Sequence, residues 1–348
     1  MAASAIDRPN VRTAIDLFSG CGGLTQGLRD AGFTVGAAVE IDALAAETYA
    51  ANHPEVKLFN VDIQKITADQ IMEACNLKVG ELDLLAGCPP CQGFSRIRLN
   101  NKKERMDDPR NRLIDEVLRL VNEIRPKVVM LENVPNLSRY TRYLDFKRKL
   151  RKLGYEISDQ ILDVADFGIP QRRKRLVVLA SRLGRISPLA ITGERKTVRD
   201  TIGTLPAEFL QNDPLHNLNE QRSERIRQLI KAIPKDGGSR TALSADLALK
   251  CHENRDGFYD VYGRMRWDDV APTITGGCIN PSKGRFLHPV EDRAITLREA
   301  ALLQSFPPNY VFSLRRGKYA AAEMIGNALP PLFSRMQAEA IKDHLLAQ

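Results

Sequence analysis

The sequence predicts an α/β protein, a doubly wound, mostly parallel sheet of the Rossmann-like kind with a second, smaller and irregular domain. Three observations predict it. Short apolar runs alternate with amphipathic stretches through the first half; glycines and carboxylates recur where those runs end; and the alternation stops near Ile186. The chain has 348 residues, enough for one large domain and one smaller one.

The runs Thr13–Phe18, Val35–Glu40, Leu58–Val61, Leu82–Ala86, Val128–Glu132 and Leu176–Ser181 read as strands. Leu24–Ala31, Ala43–Ala51 and Leu113–Ile124 read as the helices between them. The stretch Arg139–Lys152 is basic but has helical spacing, with Tyr143, Phe146, Leu150 and Leu153 as its apolar stripe. From Ile186 to Pro289 turn formers dominate, as in Lys235-Asp236-Gly237-Gly238. A helical pattern returns at Leu297–Gln304, and Tyr319 to the end reads as a closing helical segment. The expected division is a large domain at 1–185, a small domain at 186–295, and a segment 296–348 that returns to the large one.

Composition excludes several classes. The chain is 43% hydrophobic and 27% charged, the balance of a globular protein with a sizeable core. No apolar run reaches the roughly 18–20 residues a membrane-spanning helix needs. Met1–Asn10 lacks the apolar stretch of a secretory signal. Six cysteines are too few for a disulfide scaffold, which points to a reducing cytoplasm. Residues 1–95 hold six basic and twelve acidic side chains, whereas the remainder carries a net +14. An acidic first quarter suits a small-molecule pocket; a basic remainder suits a polyanion, with ordinary solubilisation as the alternative.

In an open parallel sheet, ligands bind at the carboxyl ends of the strands, and the unusual residues fall there. Asp16-Leu-Phe-Ser-Gly-Cys-Gly-Gly23 follows the first strand, Glu40 ends the second, and Asp62 closes the third. Cys88-Pro-Pro-Cys91 follows the fourth, and Glu132-Asn133-Val134 ends the fifth. The glycines let backbone approach a ligand, and the next helix presents free N–H groups. Thr25 stands where a dinucleotide fingerprint needs its third glycine. The Cys88/Cys91 spacing also fits a redox pair or half a zinc site. A second half is missing, because Cys251 and His252 are adjacent and Cys278 is isolated; no metal is expected.

Six blocks stand in a fixed order: Asp16–Gly23, Pro89-Pro-Cys-Gln-Gly-Phe-Ser95, Glu132-Asn-Val134, Gln171-Arg-Arg-Lys-Arg175, Arg298-Glu299 with Gln304-Ser-Phe-Pro307, and Gly326-Asn327-Ala-Leu-Pro330. Together they resemble the DNA (cytosine-5) methyltransferases of bacterial type. The resemblance implies S-adenosylmethionine as cofactor, S-adenosylhomocysteine as product, and C5 of a cytosine in a specific duplex DNA sequence as target. It makes 1–185 the catalytic and cofactor-binding domain and 186–295 the target-recognition domain. It also implies a bacterial, nucleoid-associated, monomeric enzyme in the cytoplasm, with a separately acting restriction endonuclease as the partner typical of the family.

Cytosine C5 is a poor nucleophile, and a thiolate adding at C6 turns the ring into an enamine that can accept a methyl group. By resemblance Cys91 is that nucleophile. Glu132 would serve N3 and the exocyclic amine from a dry pocket that raises its pKa. Arg175 would face O2, with Arg173 and Gln171 as close support. The implied cofactor set is Phe18 against adenine, Ser19, Gly20, Cys21, Gly22 and Gly23 at the methionine end, Glu40 on the ribose, Asp62 with Ile63 on the adenine amine, and Ile41, Pro90, Asn327 and Ala328 around them.

A base inside a duplex is out of a thiol's reach, so it must be extruded. Gln92–Arg112 reads as a basic loop that closes over DNA, with Gln92 and Ser95 touching it and Asn133 beside the base. In the small domain Arg264, Arg266 and Thr273 are the expected DNA contacts, and Trp267 is read as core. Two other readings keep part of this picture. A tRNA-methylating relative would carry a Cys-Phe-Thr element and a minimal recognition domain, and the sequence has no Cys-Phe-Thr. A catalytically silent DNA-binding relative should have lost one of Cys91, Glu132, Arg173 or Arg175, and all four are present.

Overall fold

Seven strands hydrogen-bond in the order β3-β2-β1-β4-β5-β7-β6 in the computed structural model. The structure describes residues 12–90, 112–191, 193–244, 246–247, 249 and 260–348. In chain order the sheet region comprises β1 (Arg12–Leu17), α1 (Gly23–Asp30), β2 (Phe33–Val39), α2 (Ala43–Asn52), β3 (Lys57–Phe59), α3 (Ala68–Cys75) and β4 (Leu84–Gly87). It continues with α4 (Leu113–Ile124), β5 (Val128–Asn133), α5 (Thr141–Lys152), β6 (Glu156–Asp163) and β7 (Lys174–Ser181). β1 pairs in parallel with β2 and β4, β2 with β3, and β4 with β5. β7 runs antiparallel to β5, so the sheet is mixed at that side.

The central strands β1, β4 and β5 are near-continuous apolar runs because helices cover both faces. Leu17, Leu85, Val129 and Leu131 meet Val117, Leu120 and Val121 of α4 and Tyr143, Phe146 and Leu150 of α5 in one core. The apolar stripe expected on α5 is buried there, while its lysines and arginines stay on the outer face. Asp83 enters β4 from the opposite end of the sheet, tied to Thr13 and to Lys127 at 2.7 Å. That carboxylate anchors strands.

The chain clusters into two compact units. The first holds 1–162, 175–190 and 333–348; the second holds 163–174 and 191–332. In the first, α11 (Pro331–Leu346) is fastened by Gln337 to both backbone groups of Leu189, by His344 to Ser181, and by Lys342 to the Ala31 carbonyl. The second contains the short helices α6 (Val198–Ile202), α7 (Ala207–Gln211) and α8 (Glu224–Ala232), then α9 (Leu297–Leu303) and α10 (Gly317–Asn327). Residues 296–332 therefore group with the small-domain region, and 333–348 with the sheet.

With so little regular structure, the second unit meets its backbone hydrogen-bonding demand through side chains. Arg264 is completely buried against a core of Leu229, Ile230, Ile233, Val261, Tyr262 and Leu287. Its guanidinium donates to the carbonyls of Ile230, Ile233, His288 and Glu291 and to the Asp292 carboxylate. The Ile230 and Ile233 carbonyls belong to the end of α8, where helical partners run out. Arg298 does similar work, pairing with Asp213 at 2.5 Å and donating to the Tyr310 carbonyl. Glu299 closes a capping box with Thr296 and receives both Nη groups of Arg293.

Candidate active site

The first turn after β1 is built for close approach. Phe18 has φ 59°, a left-handed conformation rarely adopted by an aromatic residue and costing on the order of 1–3 kcal/mol. Gly22, at φ 95°, caps α1 without a side chain, so the N–H groups of the first turn receive no side-chain cap. Gly20 donates its N–H to Glu40 Oε2 at 2.7 Å, and Asp42 donates to Oε1 at 2.7 Å. These bonds hold the Glu40 carboxylate over the glycine turn, and burial pushes its pKa up. Ile41 is 67% exposed and Val61 38%, leaving apolar side chains uncovered beside Glu40 and Asp62. Asp62 caps the short turn Ile63–Lys65 through Gln64, and the Ile63 side chain is core. Cys21 is buried, and burial raises its thiol to about 12.

Asp16 is the residue that sequence reasoning quoted but gave no role. It is completely buried at the end of β1. Its Oδ2 accepts from Thr25 Oγ1 at 2.7 Å, and that hydroxyl lies 2.8 Å from the Tyr49 hydroxyl. Its Oδ1 has no hydrogen-bond partner among the described residues. Burial, with Glu40 nearby, raises the carboxyl to about 7 against the Thr25 hydrogen bond. An orphaned buried carboxylate oxygen costs roughly 1–3 kcal/mol or more unless a ligand supplies a donor. The signal in the sequence was an acid inside an otherwise apolar strand.

Glu132, the carboxylate expected to act on the base, lies two strands away. Glu132 is the penultimate residue of β5 and Arg175 the second of β7, and Arg175 Nε stands 2.6 Å from Glu132 Oε1. The contact is an ion pair without hydrogen-bond alignment, since Oε1 has no directed donor among the described residues. Asn133 donates from Nδ2 to the Pro89 carbonyl at 2.8 Å and accepts at Oδ1 from the Val134 N–H. Asn133 therefore positions the Pro-Pro turn that leads into Cys91. The Cys88 thiol bonds to the Glu132 carboxylate; its pKa is driven well up by burial and by the charges of Glu132 and Asp16. Cys88 thus feels both Asp16 and Glu132, and Pro90 is half-buried at the last described position of the turn. Cys91, Gln92, Ser95 and the rest of the basic loop to Asn111 lie outside the described residues, as do Cys251 and His252. Among the described residues no cluster of metal-ligand type occurs.

Several expected site residues are spent elsewhere, in the second unit. Arg173 donates to the carbonyls of Ile274, Gly326 and Ala328, each at 3.0 Å. Expected in the catalytic set, it ties Gly326-Asn327-Ala328 to Ile274 in this fold. Gln171, expected as close support to Arg175 at the substrate, is fully buried and bonds Gln304 at 2.7 Å and the Ile274 N–H at 2.8 Å. Arg264, expected as a DNA contact, gives all its guanidinium donors to partners inside the domain. Thr273 donates to the Arg172 carbonyl at 2.6 Å, Asn327 is exposed at the end of α10, and Arg266 is exposed. Trp267 is half-buried, edge-on to His288 with Arg199 over its ring. Gln304 also donates to the Ile325 carbonyl, so four sequence blocks form one polar clasp.

A family model for C-5 cytosine-specific DNA methylases matches residues 12–343. The chain belongs to the C-5 cytosine-specific DNA methylase family. It is 36% identical over 349 residues to the type II methylase M.HgiDII of Herpetosiphon aurantiacus, covering 96% of each chain. It is 34% identical over 339 residues to the type II methyltransferase M1.HphI of Haemophilus parahaemolyticus, covering 94% of this chain and 86% of that one. A solved putative DNA modification methyltransferase encoded within a prophage in E. coli superposes with a TM-score of 0.70 at 25% identity, covering 96% of this chain and 99% of that one. In this methylase, then, the motif blocks divide between the strand ends of the first unit and a polar clasp in the second. No helix among the described residues is long and apolar enough to cross a membrane.

Proposed function

We propose that this cytosine-5 DNA methylase acts on one cytosine within a specific duplex word, extrudes that base, and holds it as a covalent adduct of Cys91. The convergence of Glu132, Arg175 and the Asn133-pinned Pro-Pro turn supports this reading most directly. The Cys91 thiolate attacks C6, and the C5–C6 π electrons move into the ring toward N3 and O2. Glu132 supplies the proton or hydrogen bond at N3, while Arg175 offers positive charge near O2. After methyl transfer the C5 proton leaves to a base, the C5–C6 double bond reforms, and the sulfur–C6 bond breaks to release Cys91 as thiolate.

The pocket at the strand ends fits the cofactor. S-adenosylmethionine, when bound, supplies an electrophilic methyl group on a sulfonium. Asp16 Oδ1 would accept from its ammonium, Glu40 from the ribose hydroxyls, and the first turn of α1 would face the carboxylate. Phe18, Ile41 and Val61 offer apolar surface for adenine, with Asp62 at its amine. Gly20 leaves open space where a Cβ would stand.

Residues 186–295 would choose the word, and the basic surface would offset base extrusion, which costs a few kcal/mol. The enzyme is proposed to act as a monomer on DNA, with a separate restriction endonuclease reading the same word. Bisulfite sequencing of plasmid DNA from cells expressing the chain tests the whole reading. One protected word with methylated cytosines supports it; uniformly converted cytosines overturn it.

A further inference from the structure

Within the second unit, a pocket of about 190 Å³ is lined by Arg172, Arg266 and Arg285 with Asp269, Met265 and Pro272. We propose that this pocket is a docking site for one phosphodiester of the DNA backbone, with Arg266 as its principal contact. The proposal rests on the reading that duplex DNA is the substrate.

The three cations are held differently. Arg285 is fixed, donating from Nη1 to the carbonyls of Gly237, Gly238 and Arg264, with only the well-exposed Asp260 as counter-charge. Arg172 makes a loose pair with Asp269 at 3.5 Å, both side chains about half exposed. Arg266 has no ion-pair or hydrogen-bond partner among the described residues, yet its stem is not adrift. It lies across Gly237, where a Cβ would come within 2.5 Å of Arg266 Cγ and Nε. The guanidinium is therefore carried on a seated stem beside two further arginines.

Three guanidinium groups against Asp269 and the well-exposed Asp260 leave a net positive concavity. A guanine edge is neutral and is satisfied by a single arginine fork. A phosphodiester is anionic, offers several acceptor oxygens, and can draw Arg172 away from its long pair with Asp269. The charge balance favours the phosphate, so the pocket would fix register on the duplex without reading sequence.

The test measures duplex binding by the intact protein against salt, together with the methylated word by bisulfite sequencing, for wild type, Arg266→Ala and Arg266→Lys. Because Arg266 is exposed and unpartnered, the melting temperature should stay at the wild-type value in both variants. Arg266→Ala should weaken cognate and unrelated duplexes by the same factor. It should also make the slope of log affinity against log salt shallower by about 1, with the word unchanged. Arg266→Lys should restore most of that slope, since a phosphate accepts a point charge. A relaxed or altered word in Arg266→Ala, or failure of Lys to restore the slope, would reassign the pocket to base readout. An unchanged slope would remove it from the DNA interface. A wild-type chain that methylates nothing would instead sink the functional reading, so the two failures are separable.

Discussion

Arg173 and Arg175 stand two residues apart in one motif and serve opposite ends. Arg175, in the first unit, pairs with a carboxylate whose oxygen lacks a directed hydrogen bond. Arg173, in the second, gives its Nη groups to three main-chain carbonyls. The contrast extends to the units. At the strand ends of the first, Asp16, Glu40 and Glu132 keep acceptor capacity in hand; in the second, Arg264, Gln171 and Arg298 are consumed by packing. A regular sheet satisfies its own backbone and can leave polar groups idle for a ligand, whereas an irregular domain uses its polar side chains to hold together.

The comparison breaks most visibly at Glu132. Glu132→Gln should lower kcat by roughly 10²–10⁴ with the melting temperature little changed, in single-turnover methylation assays. A stable, fully active variant would take Glu132 out of the chemistry. The opposite signature is expected from Arg264→Met, which takes the buried guanidinium away from four carbonyls and the Asp292 carboxylate. It should destabilise the protein by about 3–5 kcal/mol in denaturant titrations. A shift below about 0.5 kcal/mol would show that Arg264 is not the hub of its domain.

Gly326→Ala probes the clasp directly. A Cβ at Gly326 would stand 2.1 Å from the Thr275 carbonyl carbon and 2.3 Å from the Gly276 nitrogen, so the backbones must separate. A loss of about 1–3 kcal/mol is expected by thermal unfolding, and an unchanged midpoint would contradict the close approach.

A pH-dependent effect concerns Asp16 in the cofactor-free protein. A carboxyl raised from 3.8 to about 7 by folding costs nothing below the unfolded pKa. Its cost grows as pH rises from about 4 to about 7 and is complete above that. Apo stability should therefore decline across that window, and Asp16→Asn should flatten the decline. Parallel wild-type and variant curves would mean that the carboxyl titrates normally.

The sheet was legible because its strands are apolar runs that end in unusual residues, and all six expected strands lie within two residues of their predicted limits at both ends. β3 is shorter than Leu58–Val61 suggested, since only Lys57–Phe59 finds a partner on β2. β6 was missed because Glu-Ile-Ser-Asp-Gln-Ile-Leu-Asp is a polar edge strand with half of its residues exposed and only one buried. The Glu132 and Arg175 blocks were legible from motif order, and the fold pairs them at 2.6 Å. Arg264 was not, because Arg264 and Arg266 look alike in Tyr262-Gly-Arg-Met-Arg-Trp267, and only the distant carbonyls of α8 and of His288 and Glu291 separate a buried hub from an exposed cation. Asp16 needed Thr25 and Tyr49 folded around it before its spare oxygen was evident.

The most direct measurement incubates the protein and S-adenosylmethionine with a duplex carrying 5-fluorocytosine at the methylated position, where fluorine cannot leave as a proton would. A protein–DNA complex that survives denaturing electrophoresis, and disappears in Cys91→Ser, is the predicted result. Absence of any such complex from an otherwise active enzyme would contradict a covalent role for Cys91.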